Sequence, residues 1–264
     1  MPPRQKLHRK GHSKRVKRFV EENDFELDPM STLDVEDLLT ERRHIMVATL
    51  VACFTLFFWI IAVSTSYWVI IDGGPSGIHM NHTRVTYLHG HMGLFRMCRS
   101  VVRHSWLGGR PSSEGAQEEC RYFYVNPNKA EYSTDAMLDR TILEYTRSQI
   151  AFTCVSIFVI IMAIAFSMYT FTQQRYMFKR LAGGVYFIAA GVMLVMIEIE
   201  SNNTNYEQNH FHQRHPFQAQ WSFGLSYFLA WICLITFAAI GGLFIVYSRK
   251  RKLDIAADRG FSLS

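Results

Sequence analysis

Four stretches of this chain carry no Asp, Glu, Lys or Arg: Ile45–Ile71, Ser148–Gln174, Leu181–Ile197 and Pro216–Ser248. They cover 104 of the 264 residues, so all 50 charged residues crowd into the other 160. A soluble domain spreads charge over the outer face of every amphipathic element, and a disordered chain lacks this much apolar content. A helix crossing about 30 Å of hydrocarbon at about 1.5 Å per residue needs about 20 apolar residues. Three stretches exceed that length. The third has only 17 residues, but Lys179 and Arg180 can snorkel at one end, and Glu198 and Glu200 mark the other. The pattern predicts a membrane all-α four-helix bundle.

Orientation follows from basic residues close to the membrane. Arg42 and Arg43 precede the first stretch, Arg175–Arg180 holds three basic residues, and Arg249–Lys252 follows the fourth stretch. Glu198–His215 has only Arg214. Both termini are therefore expected in the cytoplasm of a multi-pass plasma-membrane protein, with loops Asp72–Arg147 and Glu198–His215 outside. Residues 1–18 are basic and polar with no apolar core behind them, so the first span is expected to act as the targeting signal. The sequons Asn81-His82-Thr83 and Asn202-Asn203-Thr204 fall one in each outer loop, which makes Asn81 and Asn202 the expected glycosylation sites. Cys98 and Cys120 are the only cysteines outside the spans, on the side where oxidation is permitted. A disulfide between them contributes about 3 kcal/mol in the chain-entropy model. Cys53, Cys154 and Cys233 read as small packing residues within spans.

The expected organisation is a cytoplasmic segment 1–44, a four-span domain 45–248 and a tail 249–264. Residues 4–18 hold eight Lys/Arg and no acid, whereas Phe19–Glu41 holds nine acids and no base. The basic half suits anionic membrane lipid or a solvated tail. Ser31–Glu41 is expected to form a short helix capped by Ser31. In the long outer loop, Tyr67–Ile71, the alternating Arg84–Leu88, His91–Cys98 and Cys120–Val125 read as strands, with Gly108–Ser113 as a turn-rich connection. Leu138, Ile142 and Tyr145 recur at helical spacing before the second span. A small extracellular antiparallel β-sheet, stapled by cystine, would then stand on the bundle.

Trp68 after the first span, followed by Gly93-Leu94-Phe95, two residues, Cys98 and later Cys120, resembles the claudin, peripheral myelin protein and calcium-channel gamma-subunit superfamily. Phe95 stands where that motif usually has tryptophan, and the resemblance covers roughly Ile45 to Lys252. Ser66-Tyr67-Trp68 and Gln220-Trp221-Ser222-Phe223 are most similar to gamma subunits. Cys120-Arg121-Tyr122-Phe123 followed by Asn126-Pro127 resembles the skeletal-muscle type. The resemblance implies a claudin-like fold and an auxiliary subunit that binds the pore-forming subunit of a voltage-gated calcium channel and alters its gating or trafficking. Two alternatives stand beside it: a claudin-like adhesion or barrier protein, and an auxiliary subunit of an AMPA-type glutamate receptor. Against the receptor type, the long loop has nine basic and eight acidic residues, so it offers no acidic face. The terminal Phe261-Ser262-Leu263-Ser264 lacks the hydrophobic last residue of a PDZ ligand, which departs from both alternatives.

The spans carry no ionisable residue away from their ends, and no triad, phosphate loop or metal-helix motif is visible. The expectation is a protein that is not an enzyme, with no cofactor, no nucleic acid and no small-molecule substrate. Its partners are membrane lipid and other spans. Ala182-Gly183-Gly184, Ala189-Ala190-Gly191, Ala238-Ala239 and Gly241-Gly242 suit close helix packing, inside the bundle or against a partner. His89 and His91 share a strand face, and His210, His212 and His215 form a second group. Without a third ligand at defined spacing they read as solvated loop residues, and no metal site is assigned.

Overall fold

The computed structural model describes residues 29–80, 85–107, 110–113, 115–123, 140–172, 176–210, 216 and 218–261. Several expectations lie outside them: Asn81, residues 1–28, Asn126-Pro127, Leu138, His212 and His215. The chain forms two units, Met1–His44 and Ile45–Ser264. In the first, the described residues are helical, as part of helix α1 (Pro29–Ser64). Ser31 lies within that helix rather than capping it.

The second unit adds strands β1 (Val69–Asp72), β2 (Ile78–Met80), β3 (Val85–Met92), β4 (Arg96–Leu107), β5 (Arg110–Ser113) and β6 (Gln117–Tyr122). Helices α2 (Arg140–Thr172) and α3 (Tyr176–His210), strand β7 (Gln220–Phe223) and helix α4 (Leu225–Phe261) follow. Four helical segments are long and apolar enough to cross a membrane: Leu39–Ser64, Arg140–Phe171, Met177–His210 and Leu225–Ser248.

The helices do not share the limits of the charge-free stretches. Helix α1 stops at Ser64, and the apolar residues up to Ile71 enter the sheet instead. Helix α3 starts at Tyr176, within the expected Arg175–Arg180 loop, and runs on to His210, so most of the expected outer loop 198–215 is helical. Residues 220–223 of the fourth stretch form β7, and α4 begins only at Leu225.

Apolar side chains face both ways because the bundle is wrapped by lipid rather than water. Phe54, Phe57, Phe158, Ile188, Ile232 and Ile235 are exposed, while Trp59, Ile160, Tyr186, Met193, Phe237 and Phe244 form the dry interior. Trp59 of α1 donates its indole N–H to Ser156 Oγ of α2 at 3.1 Å. Tyr186 of α3 stacks on Phe237 of α4, and its hydroxyl lies 3.0 Å from Ser167 Oγ of α2. Interior polar atoms thus meet across helices, as a medium without water requires.

The sheet is antiparallel with order β5-β4-β3-β1-β7, while β2 pairs with β3 and β6 with β4. It lies between α1 and α2 in sequence but recruits β7 from before α4, with Val69 opposite Phe223 and Asp72 opposite Gln220. His91–Cys98 is not one strand. It is the end of β3, a turn at Gly93–Phe95 and the start of β4. The turn-rich Gly108–Ser113 contains β5.

Candidate functional site

The sheet is rooted where α1 ends. Trp68 is fully buried, donates its indole N–H to the Ala62 carbonyl at 2.7 Å, and takes the Met92 carbonyl on its backbone N–H at 3.0 Å. Gly93 turns β3 into β4 directly over this root. A β-carbon there would collide with the Thr65 carbonyl and lie 2.6 Å from the Ser66 α-carbon. Leu94 fills the space below and is fully buried. Phe95 is half-buried, and its carbonyl accepts the Phe123 N–H at 2.9 Å. The motif is therefore a seat. A bare backbone allows the approach, Leu94 excludes water, and Trp68 shares the helix-end carbonyl of Ala62 with Thr65 Oγ1.

The start of α4 locks to the same root. Gly224 N–H donates to the Trp68 carbonyl at 2.8 Å and Ser226 N–H to the Tyr67 carbonyl at 3.2 Å. Phe223 stacks on Tyr227 at 4.0 Å, and Trp68 meets Tyr227 edge-on.

Across the sheet, Ile70 pairs with His91, His91 with Cys98, and Cys98 with Cys120, so these side chains share one face. The Cys98–Cys120 disulfide joins β4 to β6 at a Cα separation of 4.0 Å. His91 is not a solvated loop residue. Its ring stacks on Tyr67 at 4.4 Å, Nδ1 is 3.1 Å from the Ser66 carbonyl, and Nε2 is 3.4 Å from Glu118 Oε1. The donor atoms of His91, Cys98 and Glu118 all lie within 4.8 Å of one another. His89 is exposed and outside that group.

On the other face Glu119 lies between two arginines, bonded to Arg103 and, at 3.1 Å, to Arg99 Nη2. The Arg103 hydrogen bond acts most strongly on its carboxyl, and together with the hydrogen bond and charge of Arg99 it outweighs the upward push of burial and holds the carboxyl below the usual carboxylate range.

This seat, staple and four-helix scaffold coincide with a family model described as PMP-22/EMP/MP20/Claudin tight junction, which matches residues 53–246. The chain belongs to the claudin family. It is a multi-pass membrane protein with the claudin-like arrangement of four helices and one sheet. The comparison with curated proteins returned no match.

In this claudin-family chain the glycines of the spans divide by face. A β-carbon on Gly183 of α3 would lie 3.0 Å from the Gly241 carbonyl of α4, and one on Gly241 would lie 3.1 Å from the Gly183 carbonyl, so this pair serves the bundle itself. Beside Gly184 and Gly191 the space is open. Leu181, Ile188 and Val195 are exposed on the same side of α3, which leaves a shallow apolar furrow on the outside of the bundle. Cys53 and Cys154 are exposed rather than packed; Cys233 is buried.

One group escaped the reading of the sequence. Thr146, Gln149 and Thr153 of α2 and Glu200, Asn203, Thr204 and Glu207 of α3 are all buried, and Gln149 meets Glu200 in a polar seam between the two helices. Gln149 Nε2 donates to the Glu200 carboxylate, Thr204 Oγ1 to the Glu200 carbonyl at 2.9 Å, and Asn203 Nδ2 to Glu207 Oε1 at 3.4 Å. The spacing 200, 203, 204, 207 is one helical face, a signal hidden by treating Glu198–His215 as a loop. Asn202 points the other way, exposed, and donates to the Glu198 carbonyl at 2.8 Å.

Proposed function

We propose that this claudin-family chain is an auxiliary, gamma-type subunit of a voltage-gated calcium channel. It would sit in the plasma membrane with both termini cytoplasmic, lay its sheet over the outer surface of the pore-forming subunit and dock a span against the channel's membrane domain. The observation that carries the reading is a convergence. Ser66-Tyr67-Trp68 and Gln220-Trp221-Ser222-Phe223, the segments that resemble gamma subunits, stand 152 positions apart from Trp68 to Gln220 yet meet at one root, where β7 pairs with β1 and Gly224 and Ser226 donate to the Trp68 and Tyr67 carbonyls. The furrow at Gly184 and Gly191 supplies a place for a partner helix, because small residues let backbones approach closely in lipid.

Such a subunit works by differential contact. Binding one gating state more tightly by 1–3 kcal/mol shifts its population about 5- to 150-fold. The test is capture from detergent-solubilised membranes of cells that express the chain together with a pore-forming calcium-channel subunit. The reading expects the channel in the captured complex. Recovery of a glutamate receptor from cells that supply one, or of only further copies of this chain, would overturn it.

A further inference from the structure

We propose that the buried seam between α2 and α3 is a calcium site, with Glu200, Asn203 and Glu207 of α3 as its protein ligands. Two contacts across the helices fix the register of the seam. Gln149 donates to the Glu200 carboxylate, and the Tyr145 ring lies 6.1 Å from that of Tyr206. The helices therefore run antiparallel here, and Thr146 falls opposite Asn203 and Thr204, between the two carboxylates. The positions 200, 203 and 207 share one face of α3.

Among the described residues, three side-chain oxygens of this seam have no hydrogen-bond partner: Glu200 Oε1, Asn203 Oδ1 and Thr153 Oγ1. Their residues are at most 4% exposed, so bulk water does not serve them either. The Asn203 amide cannot turn around to help. Its Nδ2 is 3.4 Å from Glu207 Oε1, which as a carboxylate only accepts, so Oδ1 stays on the other corner of the amide. Glu200 adds charge to the missing partner. Among the described residues no basic side chain pairs with it, and Gln149 brings only a neutral donor to its other oxygen. Buried carboxylates persist where they are paired or coordinate a metal. One proton discharges one carboxyl and serves one acceptor, whereas a cation gathers several oxygens at once.

The donor set is all oxygen, from carboxylates and an amide carbonyl, which selects a hard cation. Side chains three and four residues apart on a helix start about 5–6 Å from each other. Calcium accepts so wide a set, because it takes about six to eight oxygens at about 2.3–2.6 Å in flexible geometry. Magnesium demands a near-ideal octahedron at about 2.0–2.1 Å. Water completes the shell. Bound calcium would pin the last turns of α3 to the first turns of α2, at the end of the bundle that carries the sheet. The site needs no partner protein, so it stands whichever partner the chain binds.

The test uses the full chain in detergent, freed of divalent ions with a chelator and then melted against calcium chloride or magnesium chloride at constant ionic strength. The expected result is a saturable rise in melting temperature with calcium and a smaller one with magnesium. Glu200→Gln keeps the size of the side chain and should lose the calcium-dependent rise. Asn203→Asp decides the matter if Glu200→Gln misfolds. A third carboxyl on this face should make the chelated chain melt below the native one and should enlarge the rise that calcium gives, a pattern that lost packing cannot produce. No rise in the native chain, an equal rise with magnesium, an unchanged rise in Glu200→Gln, or a rise in Asn203→Asp no larger than the native one would each overturn the proposal.

Discussion

Gly93 lies directly against the Thr65 carbonyl, so the hairpin that carries the family motif touches the last turn of the first span with no room for a single carbon. Gly93→Ala should therefore lift the sheet off its seat. Trp68→Phe tests the same seat, because it keeps an aromatic ring but removes the indole hydrogen bond to the Ala62 carbonyl, leaving only the one from Thr65 Oγ1. Losing one such hydrogen bond costs about 0.5–1.5 kcal/mol. Thermal unfolding in detergent and arrival at the cell surface should both fall for each variant; wild-type values for both would remove the seat from the account.

Glu119 gives the sheet a defined acid response. Its folded carboxyl is held below the ordinary value, first by Arg103 and then by Arg99, so the folded chain binds its proton less readily than the unfolded chain. The sign follows from linkage. The contribution is complete above the unfolded carboxylate value and is lost as pH falls toward the depressed folded one. For a partly exposed pair it amounts to about 1 kcal/mol or less. Glu119→Gln should lower stability at neutral pH and flatten the acid limb, as read by melting temperature against pH. A melting curve that drops equally at every pH would instead mean lost packing.

The polar seam between α2 and α3 predicts a larger effect. Gln149→Leu removes the donor to a carboxylate that is 1% exposed. Leaving that buried carboxyl oxygen unpaired costs about 1–3 kcal/mol, and Glu200→Leu in the same background should restore part of that loss by removing the orphaned acceptor. Native stability in Gln149→Leu, measured by chemical unfolding in detergent, would show that the contact between Gln149 and Glu200 contributes nothing.

The seam also shows where the sequence was legible and where it was not. Four spans could be read because charge is excluded from lipid, and Cys98 with Cys120 because no other cysteines lie outside the spans. Helix limits could not be read from charge. Glu198 and Glu200 looked like the end of a span, yet α3 continues to His210, with Glu200 buried and bonded to Gln149 of α2 rather than turned toward lipid. Val69 and Ile71 looked like span because they are apolar, but they are buried in the root of the sheet. Strand β7 was hidden for the same reason, since Trp221 and Phe223 suit a sheet lying against α4 as well as they suit a membrane. His91–Cys98 alternates as a strand should, and only Gly93 marked the turn within it.

Orientation has its own test. Asn202 is exposed on the same side of the spans as the sheet, but Thr204 of its sequon is buried, so a glycan there must be added before α3 folds. Glycosidase digestion should lower the mass in two steps, with Asn81→Gln and Asn202→Gln each removing one. No shift at all would contradict the placement of the sheet outside.

The central claim is tested most directly by recording calcium currents from a pore-forming subunit expressed alone, with this chain, and with a Gly184→Leu, Gly191→Leu variant that fills the furrow of α3. The account predicts a shift in voltage dependence or inactivation with the native chain and its loss with the variant. Currents identical in all three, with both proteins at the plasma membrane, would contradict it.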